Sequence, residues 1–181
     1  VPKLRKAFPK ARIRVRLDGG FGAPEILNFL DATPRLEYIV GMAKNKRLLA
    51  RVRGPMAEAR RLSKTSGESE RVYGDCMYAA RKWPSKRRVV VKAEVVRLED
   101  REPRDNPRFV VTNMAKSPAW IYKHVYCERG DSENRIKELK NDLQIDRTSC
   151  SSFLANQFRV FMTAIAYILM QEIRLSARRT S

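Results

Sequence analysis

The sequence predicts an α/β protein, with a mainly parallel sheet at its start and a β-rich stretch set into it. Three observations carry this. Arg12-Ile13-Arg14-Val15-Arg16-Leu17 alternates strictly between cation and apolar residue, the period-2 signature of a half-buried strand. Three of the eight glycines fall in the four positions Gly19 to Gly22, directly after it. A helix-like run and a second apolar, β-branched strand follow, and the order strand, turn, helix, strand makes a right-handed βαβ unit.

The elements can be justified in order. Lys3 to Lys10 reads as the tail of a basic helix, with Pro9 near its end. After the glycines, Pro24 suits the first turn of a short helix through about Ala32, and Leu36 to Met42 is the second strand. Lys46 to Ser66 is charged and reads as helix, broken at Gly54-Pro55. Three β-rich segments follow, near Arg71–Ala80, Arg88–Leu98 and Arg108–Asn113. Trp83-Pro84-Ser85 and the charged stretch Glu99–Pro107 supply the turns between them. Together they predict an antiparallel meander, an insertion over about 46–113 in a core of about 1–45 and 114–181, all within a single catalytic-domain-sized chain. Ser117-Pro118 starts a further helix, serine as N-cap and proline at the first position. It is expected to run to about Asp142 with a bend near Gly130, and Asp146 to Ser152 is a polar loop. The last helix covers Phe153 to about Ala177. Its longest run free of polar and charged side chains other than Thr163 and Tyr167 is Val160 to Met170, bounded by Arg159 and Glu172. That run is too short to span a bilayer, so a buried core helix and no membrane association are expected.

Composition narrows the partners. The 181 residues carry 38 Lys+Arg against 20 Asp+Glu, a net charge of +18, with 43% hydrophobic residues. The apolar content supports a packed core and excludes a disordered basic tail. The charge points first to nucleic acid, because neutralising phosphates releases counterions. Cys76, Cys127 and Cys150 are odd in number and include no CxxC. They make neither a disulfide framework nor a zinc site and suit a reducing cytoplasm. One histidine, His124, cannot by itself anchor a zinc or triad enzyme. No signal or transit peptide is visible. The chain opens at Val1 and runs directly into structured sequence, which reads as a start in the middle of something.

Two places carry chemistry. On an ideal α-helix with Tyr126 at zero, Arg129 falls at about 300°, Glu133 at about 340° and Lys140 at about 320°. Lys137 stands at the edge of that arc, near ~20°, while Ile136, Leu139 and Leu143 form a separate apolar stripe for the core. A carboxylate ringed by cations and a phenol suits phosphate: the acid can hold a divalent metal, and the other groups can grip phosphate oxygens. A solvated face laced with pairs such as Arg129–Glu133 accounts for the same pattern. Asp18 is the second place. An aspartate ending a strand before glycines sits where open α/β sheets keep their active sites, and the glycines admit phosphate or metal close to the backbone. An ordinary Asp-Gly turn also explains it.

Tyr126, Arg129, Glu133 and Lys140 fit the spacing Y-x2-R-x3-E-x6-K. In this the chain resembles a large group of bacterial insertion-sequence transposases with a DDE active site. Arg16-Leu17-Asp18-Gly19-Gly20-Phe21, Gly41-Met42-Ala43-Lys44-Asn45, Asp146-Arg147-Thr148-Ser149-Cys150 and Ala155-Asn156-Gln157-Phe158-Arg159 resemble the same group. The resemblance covers essentially the whole chain. It implies a ribonuclease H-like core interrupted by a β-rich insertion and closed by a C-terminal helix. It also implies three carboxylates holding two Mg2+ (or Mn2+) ions for in-line attack on a DNA phosphodiester. Asp18 matches the second aspartate and Glu133 the glutamate. Tyr126, Arg129 and Lys140 match positions that contact phosphates near the transposon end, with Lys137 beside them. Trp83, at a hairpin turn, matches an aromatic that stabilises a flipped base in related enzymes, although a tryptophan there also serves packing. Lys86-Arg87-Arg88 beside it suits DNA backbone contact or a solvated turn. The partners implied are double-stranded DNA at transposon ends and, at full length, a second copy of the chain; the location implied is the cytoplasm, on the nucleoid.

The chain departs from the group at one point. Residues 1–17 contain seven Lys or Arg and no acidic residue, so the first aspartate of the triad, which the group carries on an earlier strand, has no counterpart. The expectation is a C-terminal part of a transposase, inactive and poorly stable alone, whose strand at Ile13–Leu17 lacks its neighbours. A catalytically dead DNA-binding remnant is the alternative. An RNA-associated basic protein fits the charge but has no RNA-module signature.

Overall fold

The computed structural model describes residues 1–99 and 101–180, with the side chains of Arg129, Ser132, Arg178 and Thr180 outside the description. α1 (Pro2–Ala7) stops before Phe8 and Pro9, because the residue ahead of a proline is pushed out of the helical region. β1 (Ile13–Leu17), α2 (Pro24–Ala32) and β2 (Leu36–Met42) follow. β1 and β2 pair in parallel, Ile13 opposite Leu36 and Leu17 opposite Val40. The expected strand–helix–strand unit is therefore present, with Pro24 in the first helical turn.

α3 (Lys46–Arg51) is capped by the Asn45 side chain, which accepts from the Leu48 N–H. α4 (Arg53–Ser66) follows after Val52. The break thus comes earlier than Gly54-Pro55, which lie in the first turn of α4, where a proline costs no helical hydrogen bond. Gly67 ends α4 with φ of 76°, a left-handed conformation that favours glycine. β3 (Glu70–Tyr78), β4 (Arg87–Leu98), β5 (Arg101–Asp105) and β6 (Arg108–Thr112) complete one six-stranded sheet, ordered β1-β2-β6-β4-β3 with β5 on β4. β6 pairs antiparallel with β2, Ile39 opposite Thr112, so the strands after residue 46 continue the sheet begun by β1 and β2. β5 lies where the sequence reads only as a turn. All five of its residues are exposed, so it has no apolar alternation to betray it, and it is held by pairing to β4 and by the Arg60–Asp105 ion pair.

The sheet has two apolar faces, as period-2 alternation requires. Tyr38 and Val40 of β2, Val89 and Val91 of β4, and Val111 of β6 share one core with Leu27, Leu48 and Met56 from the helices. Their neighbours Ile39, Val90 and Val110 point the other way, onto Ile121, Tyr122 and Val125. These last belong to α5 (Pro118–Ile121), with Ser117 as N-cap, and to a π turn over Tyr122–Tyr126. The apolar residues of β1 join the first core. Arg14 stands over the Trp120 ring, 5.8 Å from its centroid, and Arg16 donates to the Val125 carbonyl at 2.8 Å.

The chain divides into two units, Val1–Cys127 and Glu128–Ser181. The second comprises α6 (Arg129–Lys137), a π turn over Glu138–Asp142 and α7 (Phe153–Thr180). The helix expected to continue to Asp142 is therefore interrupted by two π turns and by Cys127–Glu128, whereas Gly130 sits inside α6. Within this unit Glu138 accepts from Tyr167 at 3.0 Å, Gln171 at 3.3 Å and Arg174 at 3.0 Å, and Arg135 reaches both Glu138 and Gln171. α7 corrects the expectation of a buried helix: Phe153 is 79% exposed and Ile168 60%. By length and composition it is also apolar enough to cross a membrane over Phe153–Ala177, a wider span than the polar-free run Val160–Met170. A mixed sheet with flanking helices and a long C-terminal helix is consistent with a ribonuclease H-like core.

Candidate active site

Asp18 stands at the C-terminal end of β1, beside the parallel neighbour β2. Its Oδ1 accepts from the Gly20 N–H at 2.9 Å, capping a one-turn 3-10 helix over Gly19–Phe21. The glycine run thus forms a tight corner whose backbone carries no side-chain shield. A cavity of about 270 Å3 opens against this corner, lined in part by Gly19, Gly22, Gly41, Lys44, Asn45 and Trp83.

Tyr126 reaches the same corner. A Cβ placed on Gly41, one residue past the last β1–β2 pair, would stand 2.8 Å from the Tyr126 hydroxyl, 2.9 Å from the Gly19 nitrogen and 3.3 Å from the Asp18 carbonyl carbon. The hydroxyl and the Asp18–Gly19 peptide therefore converge on the space where any other residue would begin its side chain. Behind Tyr126 the rings of Tyr122 and Tyr73 continue inward, with centroids 5.3 and 5.7 Å apart in succession. Burial pushes the Tyr122 hydroxyl well above the usual phenol range, and Tyr126 adds to this.

The other residues singled out by the sequence lie elsewhere. Glu133 and Lys137 are exposed on α6, and Lys140 is exposed in the following π turn. The Arg129 side chain is outside the described residues. The single polar arc drawn for Tyr126, Arg129, Glu133 and Lys140 assumes one regular α-helix. It is corrected by the π turns, whose i→i+5 bonds Cys127 N–H to Tyr122 carbonyl (2.9 Å) and Leu143 N–H to Glu138 carbonyl (3.2 Å) change the rotation per residue. Tyr126 belongs to the first unit, and Glu133, Lys137 and Lys140 to the second. The apolar stripe is corrected too, since Ile136 is 52% and Leu143 37% exposed.

Trp83 occupies the β3–β4 turn as expected. It is partly buried, with the Arg87 guanidinium 4.8 Å over its ring and Tyr78 edge-on at 5.6 Å. Arg87, read from sequence as a turn cation, is buried. Its Nε donates to Asp31 at 2.7 Å and one terminal nitrogen to Asn28 at 2.7 Å, while Nη1 is buried with no partner. Tyr38 donates to the same Asp31 carboxylate, and burial followed by that contact raises the phenol. Arg88 is held by Asp75 and by two carbonyls, Met114 and Lys116. Of the basic triplet only Lys86 is an exposed turn cation.

Sequence reasoning missed three things. The Arg16–Val125 contact joins residues 109 apart and leaves no local trace. The Arg87–Asp31 network is equally remote in sequence. The Glu138 cluster did have a signal: Tyr167, Gln171 and Arg174 recur at spacings of four and three in an otherwise apolar helix, one polar stripe at helical period.

A parallel strand pair with an aspartate at its carboxyl end, a glycine corner and a phenol brought beside it defines an α/β protein of phosphate chemistry. The chain belongs to the DDE transposases: it matches the family described as Transposase DDE domain group 1 over residues 1–181. No curated protein and no solved structure matches it. DDE transposases generally use divalent metals. Among the described residues, however, no three His, Cys, Asp or Glu side chains gather as a group able to hold one. In the first unit Asp18 offers its carboxylate with one oxygen already on Gly20. The residues present do not complete a three-carboxylate set.

Proposed function

We propose that the chain is the part of a DDE transposase that grips and orients transposon-end DNA for cleavage and strand transfer. In this reading Asp18 and Glu133 are two of the three carboxylates, with Mg2+ or Mn2+ as the cofactor. Tyr126, Arg129, Lys137 and Lys140 hold phosphates, and Trp83 stands by an extruded base. The enzyme works as a dimer on double-stranded DNA in the cytoplasm, on the nucleoid. The observation that carries the reading is the convergence of the Tyr126 hydroxyl and Asp18 at Gly41, which puts a phosphate-binding phenol next to a strand-end carboxylate. The phenol donates to a phosphate oxygen, the cations fix the strand, and the bare glycine backbone lets the phosphodiester approach.

The test uses duplexes carrying the ends of the element that encodes the chain, with Mg2+ or Mn2+. A gene product that includes residues 1–181 and an upstream aspartate is expected to cleave them, and Asp18→Asn or Glu133→Gln to abolish cleavage while binding persists. Lys140→Ala is expected to weaken binding and lower the salt slope by about 1. The 181-residue chain alone is expected to bind without cutting. Cleavage by that chain, lost in Asp18→Ala, refutes the reading of an incomplete site.

A second reading, a DNA-binding remnant without catalysis, is favoured by one observation: the described residues bring no three metal-holding side chains together. It predicts that adding the upstream sequence restores no cleavage.

A further inference from the structure

We propose that Arg16 is a positioning residue: it fixes the Tyr126 hydroxyl beside Asp18, with Gly41 setting the gap. The inference rests on the DNA-gripping role proposed for Tyr126, but its geometric part stands without it.

The argument begins with the π turn. Widening a helix from i→i+4 to i→i+5 bonding leaves a carbonyl without its usual donor, and a carbonyl deprived of a partner in a half-buried place is costly. Here the Cys127 N–H goes to Tyr122, and the Val125 carbonyl receives the Arg16 guanidinium at 2.8 Å. Arg16 comes from β1, two residues before Asp18. One charge-assisted hydrogen bond therefore ties the strand that ends in Asp18 to the turn that presents Tyr126.

Three further contacts limit where Tyr126 can go. Its ring lies against Tyr122, itself buried on the second sheet face. Val125, immediately before it, is buried in the same core. Its hydroxyl then occupies the space above Gly41, where an added methyl would meet it at 2.8 Å. That methyl would also press on the Gly19 nitrogen and the Asp18 carbonyl carbon, which are backbone and cannot swing away. The β1 arginine thus pulls the turn in, and the bare β2 backbone lets it arrive. A general structural arginine would stabilise the fold without setting this one hydroxyl; Arg16 acts on the residue next to its own bond.

The test follows Tyr126 directly. The full chain is labelled with 3-fluorotyrosine, and the Tyr126 resonance is assigned as the one missing in Tyr126→Phe. Arg16→Met and Gly41→Ala are expected to move that resonance and leave the Tyr38 and Tyr78 signals in place, while Arg16→Lys, which restores a charged donor, returns it towards its original position. On DNA, Arg16→Met is expected to weaken end binding about tenfold, with little added loss in the double variant with Tyr126→Phe. A Tyr126 resonance unmoved in folded Arg16→Met overturns the proposal. Should Arg16→Met fail to fold, Arg16→Gln, which keeps a donor without the charge, is read in its place, and an unmoved Gly41→Ala resonance is equally fatal. Movement of the resonance with DNA binding unchanged by Tyr126→Phe leaves the positioning intact and removes the DNA role of Tyr126.

Discussion

The two units of the chain use apolar residues in opposite ways. Among the described side chains, every buried one lies between Leu27 and Val125, and none lies from Glu128 onward. The amount of hydrophobic sequence does not explain this, because α7 carries Phe158, Phe161, Ile165, Ile168 and Ile173, each more than half exposed. In the first unit a sheet offers two apolar faces, and separate helical layers cover them. In the second, one long helix has a polar clasp to α6 and no apolar cover among the described residues. The comparison teaches that a hydrophobic run reports a tendency to be buried, while burial itself needs a partner surface.

The largest expected effect lies in the first unit. Asp31→Ala leaves the Arg87 guanidinium, only 4% exposed, with Asn28 alone, and breaking such a pair is expected to cost about 4 kcal/mol in urea unfolding. A cost below about 1 kcal/mol would mean that water replaces Asp31 and that the core is looser than it looks. Next comes a matched pair of truncations. Ile39→Ala, fully buried on the central strand pair, is expected to lose about 3 kcal/mol. Ile168→Ala on α7 is expected to change stability by less than about 0.5 kcal/mol. Equal losses at the two isoleucines would erase the contrast between the units.

The smallest effect concerns pH. Hydrogen bonding from Tyr167, then from Arg174, with the nearby Arg135 and Arg174 charges, holds the Glu138 carboxyl below its usual range. A carboxyl depressed in the folded state stabilises it fully above the unfolded value of about 4.3. That contribution fades as pH falls through the lower, folded value. Amide exchange in α7 is therefore expected to quicken on acidification below about pH 4, and Glu138→Gln to remove that step. An identical acid response in Glu138→Gln would assign the change to other carboxylates.

Legibility followed the range of each interaction. β1, α2 and β2 were open to reading because alternation, a first-turn proline and β-branched runs are local signals. β5 was hidden because Arg101–Asp105 is charged, contains Pro103 and gains its strand form only by pairing with β4. The π turns were hidden because one shifted hydrogen bond changes no residue pattern. Of the site, Asp18 and Tyr126 could be named from the sequence, but their meeting at Gly41 depends on strands and a helix brought together from residues 18, 41 and 126. Arg87 was misjudged for a related reason: a cation in a turn looks solvated until a distant acid, here Asp31, is found beside it.

The π turns have a consequence for how this segment can vary. Each accommodates one residue more than an ordinary helical turn, so deleting a single residue from Tyr122–Tyr126 would let the helix relax to regular winding. Everything beyond the deletion would then rotate by about 100° and draw back by about 1.5 Å. Substitutions along Tyr122 to Asp142 alter one contact at a time, but a change in length re-aims Glu133, Lys137 and Lys140 together. Length, more than identity, is the property this stretch must keep.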